Sequence, residues 1–195
     1  MSDTDESISI EQKRYNLIIN TRNFHYENFN KWMTYYYVAV AAIFVGFYSM
    51  GDCNNSSKLW LLIVGYVVSI LWHLSCKGYY FWVKHWTAQL LKLEESNNYA
   101  VYSVFSESVK KNENNLLNPL QSANISTSKV TLLFSFCISI TWLFLILNDR
   151  FLFCSHNILN NLLEIILSLF ITTVIVWLLG LFLKSDLTKH KMDEE

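Results

Sequence analysis

Charge is what this 195-residue sequence has least of. Only 16% of its residues are Asp, Glu, Lys or Arg, against about a quarter in a soluble domain of ordinary composition. Helix breakers are equally scarce, with one proline, Pro119, and five glycines. No proline precedes Pro119, and no glycine follows Gly78 until Gly180. Nothing therefore interrupts a helix that runs from "LWLLIVGYVVSILWHLSC" into "GYYFWVKHWTAQLLKLEE". The four cysteines include no Cys-x-x-Cys pair, and His73 and Cys76 in "HLSC" have no second half, which argues against a zinc site. There is no glycine-rich phosphate loop, nucleophile elbow or metalloprotease helix. No acid, base and metal set converges on one helical face. Arg150 and His156 in "RFLFCSH" share the spacing of a HEPN-type ribonuclease motif, but so short a match carries no specificity. The expectation is a protein that is not an enzyme and needs no cofactor.

What is present is long apolar runs. Hydrophobic residues make up 52% of the chain. Charges are absent from Trp32–Met50, Leu59–Cys76 and Val130–Leu147, and Ile158–Leu183 contains only Glu164. At about 1.5 Å per residue, eighteen or nineteen residues cross most of a ~30 Å hydrocarbon core. The fold class read from this pattern is an all-α membrane protein with four transmembrane helices. The polar segment before Trp32 has no signal-peptide character, so the first span is expected to act as an uncleaved anchor.

Orientation follows from the bases. All but Lys58 and Arg150 of the fifteen Lys and Arg residues fall before the first span, between the second and third, or after the fourth. The positive-inside rule places those segments, and with them both termini, in the cytoplasm. Tyr35, Tyr36, Tyr37, Tyr79, Tyr80 and Trp82 cluster at the same inner interface. All but Asp52, Asp149 and Glu164 of the sixteen acids share that side. The inner face thus has no net basic surface, and direct nucleic-acid binding lacks its usual electrostatic footprint.

Two stretches next to the spans are amphipathic. Tyr15, Ile18, Tyr26, Phe29 and Met33 recur at helical spacing before the first span, with Arg22 on the same stripe. After the second span Tyr79, Trp82, Trp86, Leu90 and Leu93 are three or four residues apart, which is one helical face. The second helix is expected to run about four turns into the cytoplasm and to bury that face, since isolated helices rarely persist in water. The N-terminal stripe is the nearest partner within the chain, and the remainder is expected to face a neighbouring subunit. "NNYAVYSVF" reads as a helix end or short strand, and "ESVKKNENNLLNPLQSANISTS" as a loop. The expected organisation is a cytoplasmic amphipathic helix over 1–31, a transmembrane hairpin over 32–76, a cytoplasmic helical extension and loop over 77–129, a second hairpin over 130–183, and a tail over 184–195.

Three further features are candidates. A buried Arg22 needs a carboxylate, and Glu94 or Glu95 near the end of the second stripe would supply one. The pair reads either as a latch or as a structural clamp, with snorkelling to lipid phosphate as a third reading. Glu164 is an intramembrane carboxylate, hence a candidate for a pore or proton role, unless the span starts at Ile165 and leaves it at the interface. Cys53 and Cys154 both fall in outer connections, where a disulfide is permitted.

Two quoted segments then point to a family. "RYNLIINTRNFHYENFNKWMTYYYVAVAAIFVGFYS" and "SILWHLSCKGYYFWVKHWTAQLLKLEE" resemble the RipA-like family of small bacterial membrane proteins, some of which form octamers. The chain is also similar to the multi-pass accessory membrane proteins encoded beside RNA-guided RNases in type VI-B CRISPR loci. The resemblance covers about Arg14 to Glu95. It implies a homo-oligomer in the lipid bilayer of a bacterial inner membrane that modulates an antiviral RNA-guided RNase, by forming a pore or perturbing membrane potential. A small constitutive channel or transporter is the competing class, as is a RipA-like protein unrelated to CRISPR.

The orientation is testable by cysteine-accessibility labelling. Cysteines introduced at Ser2 and Asn112 should be protected from an impermeant reagent in intact cells, and one at Asn55 should react. Labelling at Asn112 from outside would invert the topology.

Overall fold

A computed structural model of the chain describes the backbone of residues 3–50, 55–96, 126–150 and 158–183, and the side chains of 12–50, 56–93, 126–148 and 161–183. Every element described is a helix: α1 Asp3–Ser49, α2 Asn55–Ser96, α3 Thr127–Arg150 and α4 Ile158–Phe182. Each is long and apolar enough to cross a membrane, over Gln12–Ser49, Ser56–Leu93, Thr127–Asn148 and Asn161–Phe182. The protein is thus all-α with four membrane-spanning candidates. α3 and α4 have 24 and 25 residues, which suits one crossing each. α1 and α2 have 47 and 42, or about 70 and 63 Å, more than twice the hydrocarbon thickness. Both necessarily continue well beyond it.

The helices absorb hydroxyl side chains that would otherwise sit unsatisfied in lipid. Ser69 donates to the Gly65 carbonyl at 2.8 Å, Ser139 to Ser135 at 2.9 Å, Ser168 to Glu164 at 2.8 Å and Thr173 to Leu169 at 2.7 Å. Each reaches four residues back along its own helix, the local pattern that returns a hydroxyl to the backbone.

The chain divides into two units. Unit 1 takes Met1–Tyr35 with Ser75–Leu132, and unit 2 takes Tyr36–Leu74 with Leu133–Glu195. In unit 1 the early turns of α1 meet the late turns of α2. Tyr15, Ile18 and Leu90 form a buried core, with Ile19, Trp86 and Leu93 packed against it. Phe29 meets Tyr79 edge to face at 5.8 Å. Further along, the Cys76 thiol donates to the Met33 thioether at 3.4 Å.

Unit 2 is built around two fully buried tryptophans, Trp72 and Trp142. Trp72 stacks on Tyr36 at 6.1 Å and takes Tyr37 and Phe134 edge-on at 5.0 and 5.7 Å. Trp142 stacks on Phe44 at 4.1 Å, with Phe47 edge-on at 6.3 Å. A Cβ at Gly65 would lie 2.7 Å from two Trp142 ring atoms, so α2 approaches the ring more closely than any side chain permits. Gly78 has nothing within 4 Å of the equivalent position.

The two glycines should respond oppositely to alanine. Gly65→Ala should cost about 1–3 kcal/mol through overpacking against a rigid buried ring. Gly78→Ala should leave stability unchanged or raise it by roughly 0.5–1 kcal/mol through helix propensity. Thermal unfolding in detergent, followed by circular dichroism, measures both. A Gly65→Ala protein as stable as Gly78→Ala would rule out the close approach.

Candidate functional site

Two sets of residues have functional character, one in each unit. The first is the aromatic face of unit 1. The α2 stripe Tyr79, Trp82, Trp86, Leu90 and Leu93 lies half-buried except for Leu90, which is fully buried. His25 of α1 stacks on Trp82 and on Trp86, with both centroid distances at 6.2 Å. His25 falls on a spacing that starts at Ile18 and passes through Arg22 to Phe29, in steps of four, three and four, so the stripe periodicity was the signal that marks it. Arg22 is half-buried, with its guanidinium 5.4 Å from the centre of the Tyr26 ring, within cation–π range.

The same unit carries apolar side chains that its own core leaves open. Leu17 is 65% exposed, Phe24 60% and Phe81 58%. Leu17 and Phe24 are two turns apart and share one face of α1. Trp32 is also largely exposed and meets Tyr35 edge to face at 6.0 Å.

The second set is a polar seam inside unit 2. His73 is buried, and its Nδ1 lies 3.1 Å from the buried Ser135 hydroxyl. The Tyr66 hydroxyl is 3.4 Å from the Thr172 hydroxyl. On α4, Glu164, Ser168, Thr172 and Val176 are buried at four-residue intervals. Glu164 is 6% exposed, and its Oε2 has no hydrogen-bond partner among the described residues. Serines 135 and 139 on α3 repeat the same spacing. Small polar residues four apart within an apolar run mark helix faces that pack on other helices in lipid, and that signal was available in the sequence.

The remaining expected sites fall elsewhere. Glu94 and Glu95 lie on α2, but their side chains are outside the described residues, so the Arg22 pairing rests on the sequence. Cys53 and Cys154 are outside the described residues altogether, as are His156 and the 97–125 stretch. The cysteines whose side chains are described, Cys76, buried, and Cys137, exposed, are not in disulfides. Among the described residues no group of three or more His, Cys, Asp or Glu is placed to hold a metal ion.

No curated protein and no solved structure matches this chain. One family model does, that of the octameric membrane protein family (8xMP), over residues 12–152. The matched stretch takes in most of α1, from residue 12 onward, and all of α2 and α3, and hence the whole aromatic face of unit 1. It covers well over half of the chain, and the protein belongs to the octameric membrane protein family.

Proposed function

We propose that the protein is a non-enzymatic, oligomeric subunit of a bacterial inner-membrane assembly, with both termini in the cytoplasm. In this reading the assembly is an accessory to an RNA-guided, RNA-targeting nuclease of the type VI-B kind, and it acts by perturbing the membrane. The observation that carries the assembly role is the exposed apolar face of unit 1. Inside lipid, apolar burial contributes little to helix association, because acyl chains are as apolar as leucine. Where α1 and α2 leave the bilayer, a large apolar side chain gains about 1.5–3 kcal/mol on full burial. Tyr15, Ile18 and Leu90 obtain that burial within the chain, whereas Leu17, Phe24 and Phe81 do not. A second copy of the chain is the occupant that family membership supports. The coupling to a nuclease is supported by the likeness of the Arg14–Glu95 region to accessory proteins of such loci.

A constitutive channel is the second reading, favoured by one observation. Glu164 places a buried carboxyl oxygen, without a partner among the described residues, inside an apolar helix, and intramembrane carboxylates of this kind line ion and proton pathways.

The double variant Leu17→Ser with Phe24→Ser separates assembly from folding. It should lose the high-mass oligomer in detergent, by light scattering or native mass measurement, while keeping its helical content. It should also lose any dye-reported depolarisation during nuclease activation in cells. Leu90→Ala, by contrast, should cost about 2–5 kcal/mol of stability, because it hollows the intrachain core. A double variant with the full oligomer and full depolarisation would remove this face from the assembly. Depolarisation that proceeds without any nuclease would favour the constitutive channel.

A further inference from the structure

The start of α3 leaves a group of polar atoms open. Ser126 caps the helix: its carbonyl accepts from the N–H groups of Lys129 and Val130 at 3.0 and 3.1 Å. Its hydroxyl oxygen also accepts from Lys129 N–H, at 3.4 Å. The N–H groups of Thr127 and Ser128, at the first two helical positions, take no part in these bonds and have no acceptor among the described residues, as is usual for the first donors of a helix. The positive end of the 24-residue helix dipole gathers at the same point.

A helix start alone is not a binding site, but a buried side chain points the same way. Ser128 is 6% exposed, and its hydroxyl has no hydrogen-bond partner among the described residues. It lines a groove of about 320 Å³ within unit 1, together with Ser126, Tyr26, Tyr80 and Lys84. A single water takes up only roughly 30 Å³, so there is room for a much larger group. Lys84 is exposed, with no carboxylate partner among the described residues. Thr87, also on the groove wall, has its hydroxyl committed to the Val83 carbonyl at 2.8 Å. Val83 and Leu91 form an apolar flank. No described lining residue is acidic.

The candidate span of α3 begins at Thr127, so a bilayer crossed by this helix would end beside the groove. A lysine, a serine hydroxyl and two backbone donors suit a phosphate diester. The absence of an acid in the described lining leaves nothing to receive a headgroup cation, and the apolar flank suits the lipid's glycerol and upper acyl carbons. We propose that this groove binds the phosphate of an anionic phospholipid headgroup, held by Lys84, the Ser128 hydroxyl and the open N–H groups of Thr127 and Ser128. Basic pockets at the ends of membrane helices recognise anionic lipids in this manner.

The test uses the full chain in nanodiscs of phosphatidylcholine containing increasing phosphatidylglycerol, with native mass spectrometry of the lipid retained after transfer to detergent. The wild-type protein should retain phosphatidylglycerol in preference to phosphatidylcholine. Lys84→Ala should lower that preference about five- to tenfold, the effect expected of one lysine at an anionic surface, and Ser128→Ala should lower it by less. Lys77→Ala, an exposed lysine of the same helix outside the groove, should lower it clearly less than Lys84→Ala. Circular dichroism confirms that each variant is folded. Equal losses in Lys77→Ala and Lys84→Ala would reduce the effect to general surface charge and overturn the site, as would a wild-type protein with no preference. Displacement of the lipid by millimolar inorganic phosphate would identify a free-anion site instead and also overturn the proposal.

Discussion

Hydrocarbon offers no hydrogen-bond partner, and that constraint organises this protein. Every backbone N–H and C=O inside the bilayer must be satisfied by the protein itself, which leaves helices or closed barrels, and the described elements of this chain are helices. The same demand reaches the side chains. Ser69, Ser139, Ser168 and Thr173 return their hydroxyls to carbonyls four residues back, so most polarity inside the apolar helices is neutralised locally. Among the described residues there remain His73 with Ser135, Tyr66 with Thr172, the unpartnered Trp142 indole nitrogen and one carboxyl oxygen of Glu164. Between helices in lipid such contacts determine which faces meet, because the apolar remainder of each surface is equally content against acyl chains.

The two units are held by different forces. Unit 2 relies on shape: Trp142 lies against the bare backbone at Gly65, and Trp72 is enclosed by three aromatic rings. Its many exposed apolar residues, such as Ile166, Phe170 and Trp177 on α4, match a lipid environment and need no protein partner. Unit 1 extends α1 and α2 beyond the length that a bilayer covers. There the hydrophobic effect operates at full strength, and it explains both the intrachain core around Leu90 and the significance of open side chains such as Leu17 and Phe24. Apolar exposure means little in unit 2 and a great deal in unit 1.

Membership of an octameric family gives those open side chains a physical setting. A copy that covers Phe24 on one neighbour must expose an equivalent surface to the next, as any closed cyclic arrangement of identical chains requires. Assembly through the parts of the helices outside lipid would leave the polar seam of unit 2 inside each subunit. Self-association and any conduction would then be separable properties, located in different units of one chain.

The sequence by itself determined the all-α class, the four crossings and the unusual length of the second helix. These follow from the absence of charge over runs long enough to cross a bilayer, and from the lack of proline or glycine after Gly78 to stop α2. The face of α2 that packs was also legible, because Tyr79, Trp82, Trp86, Leu90 and Leu93 keep helical spacing. Periodicity reports a direction around one helix and nothing about what lies opposite. Only the tertiary structure decided that Leu90 meets Tyr15 and Ile18, that His25 lies against two tryptophans, and that Gly65 is a contact whereas Gly78 is not. It also buried Glu164 on the packed face of α4, with one carboxyl oxygen unpartnered among the described residues. The sequence is apolar immediately on both sides of Glu164, and burial depends on residues far away in the chain.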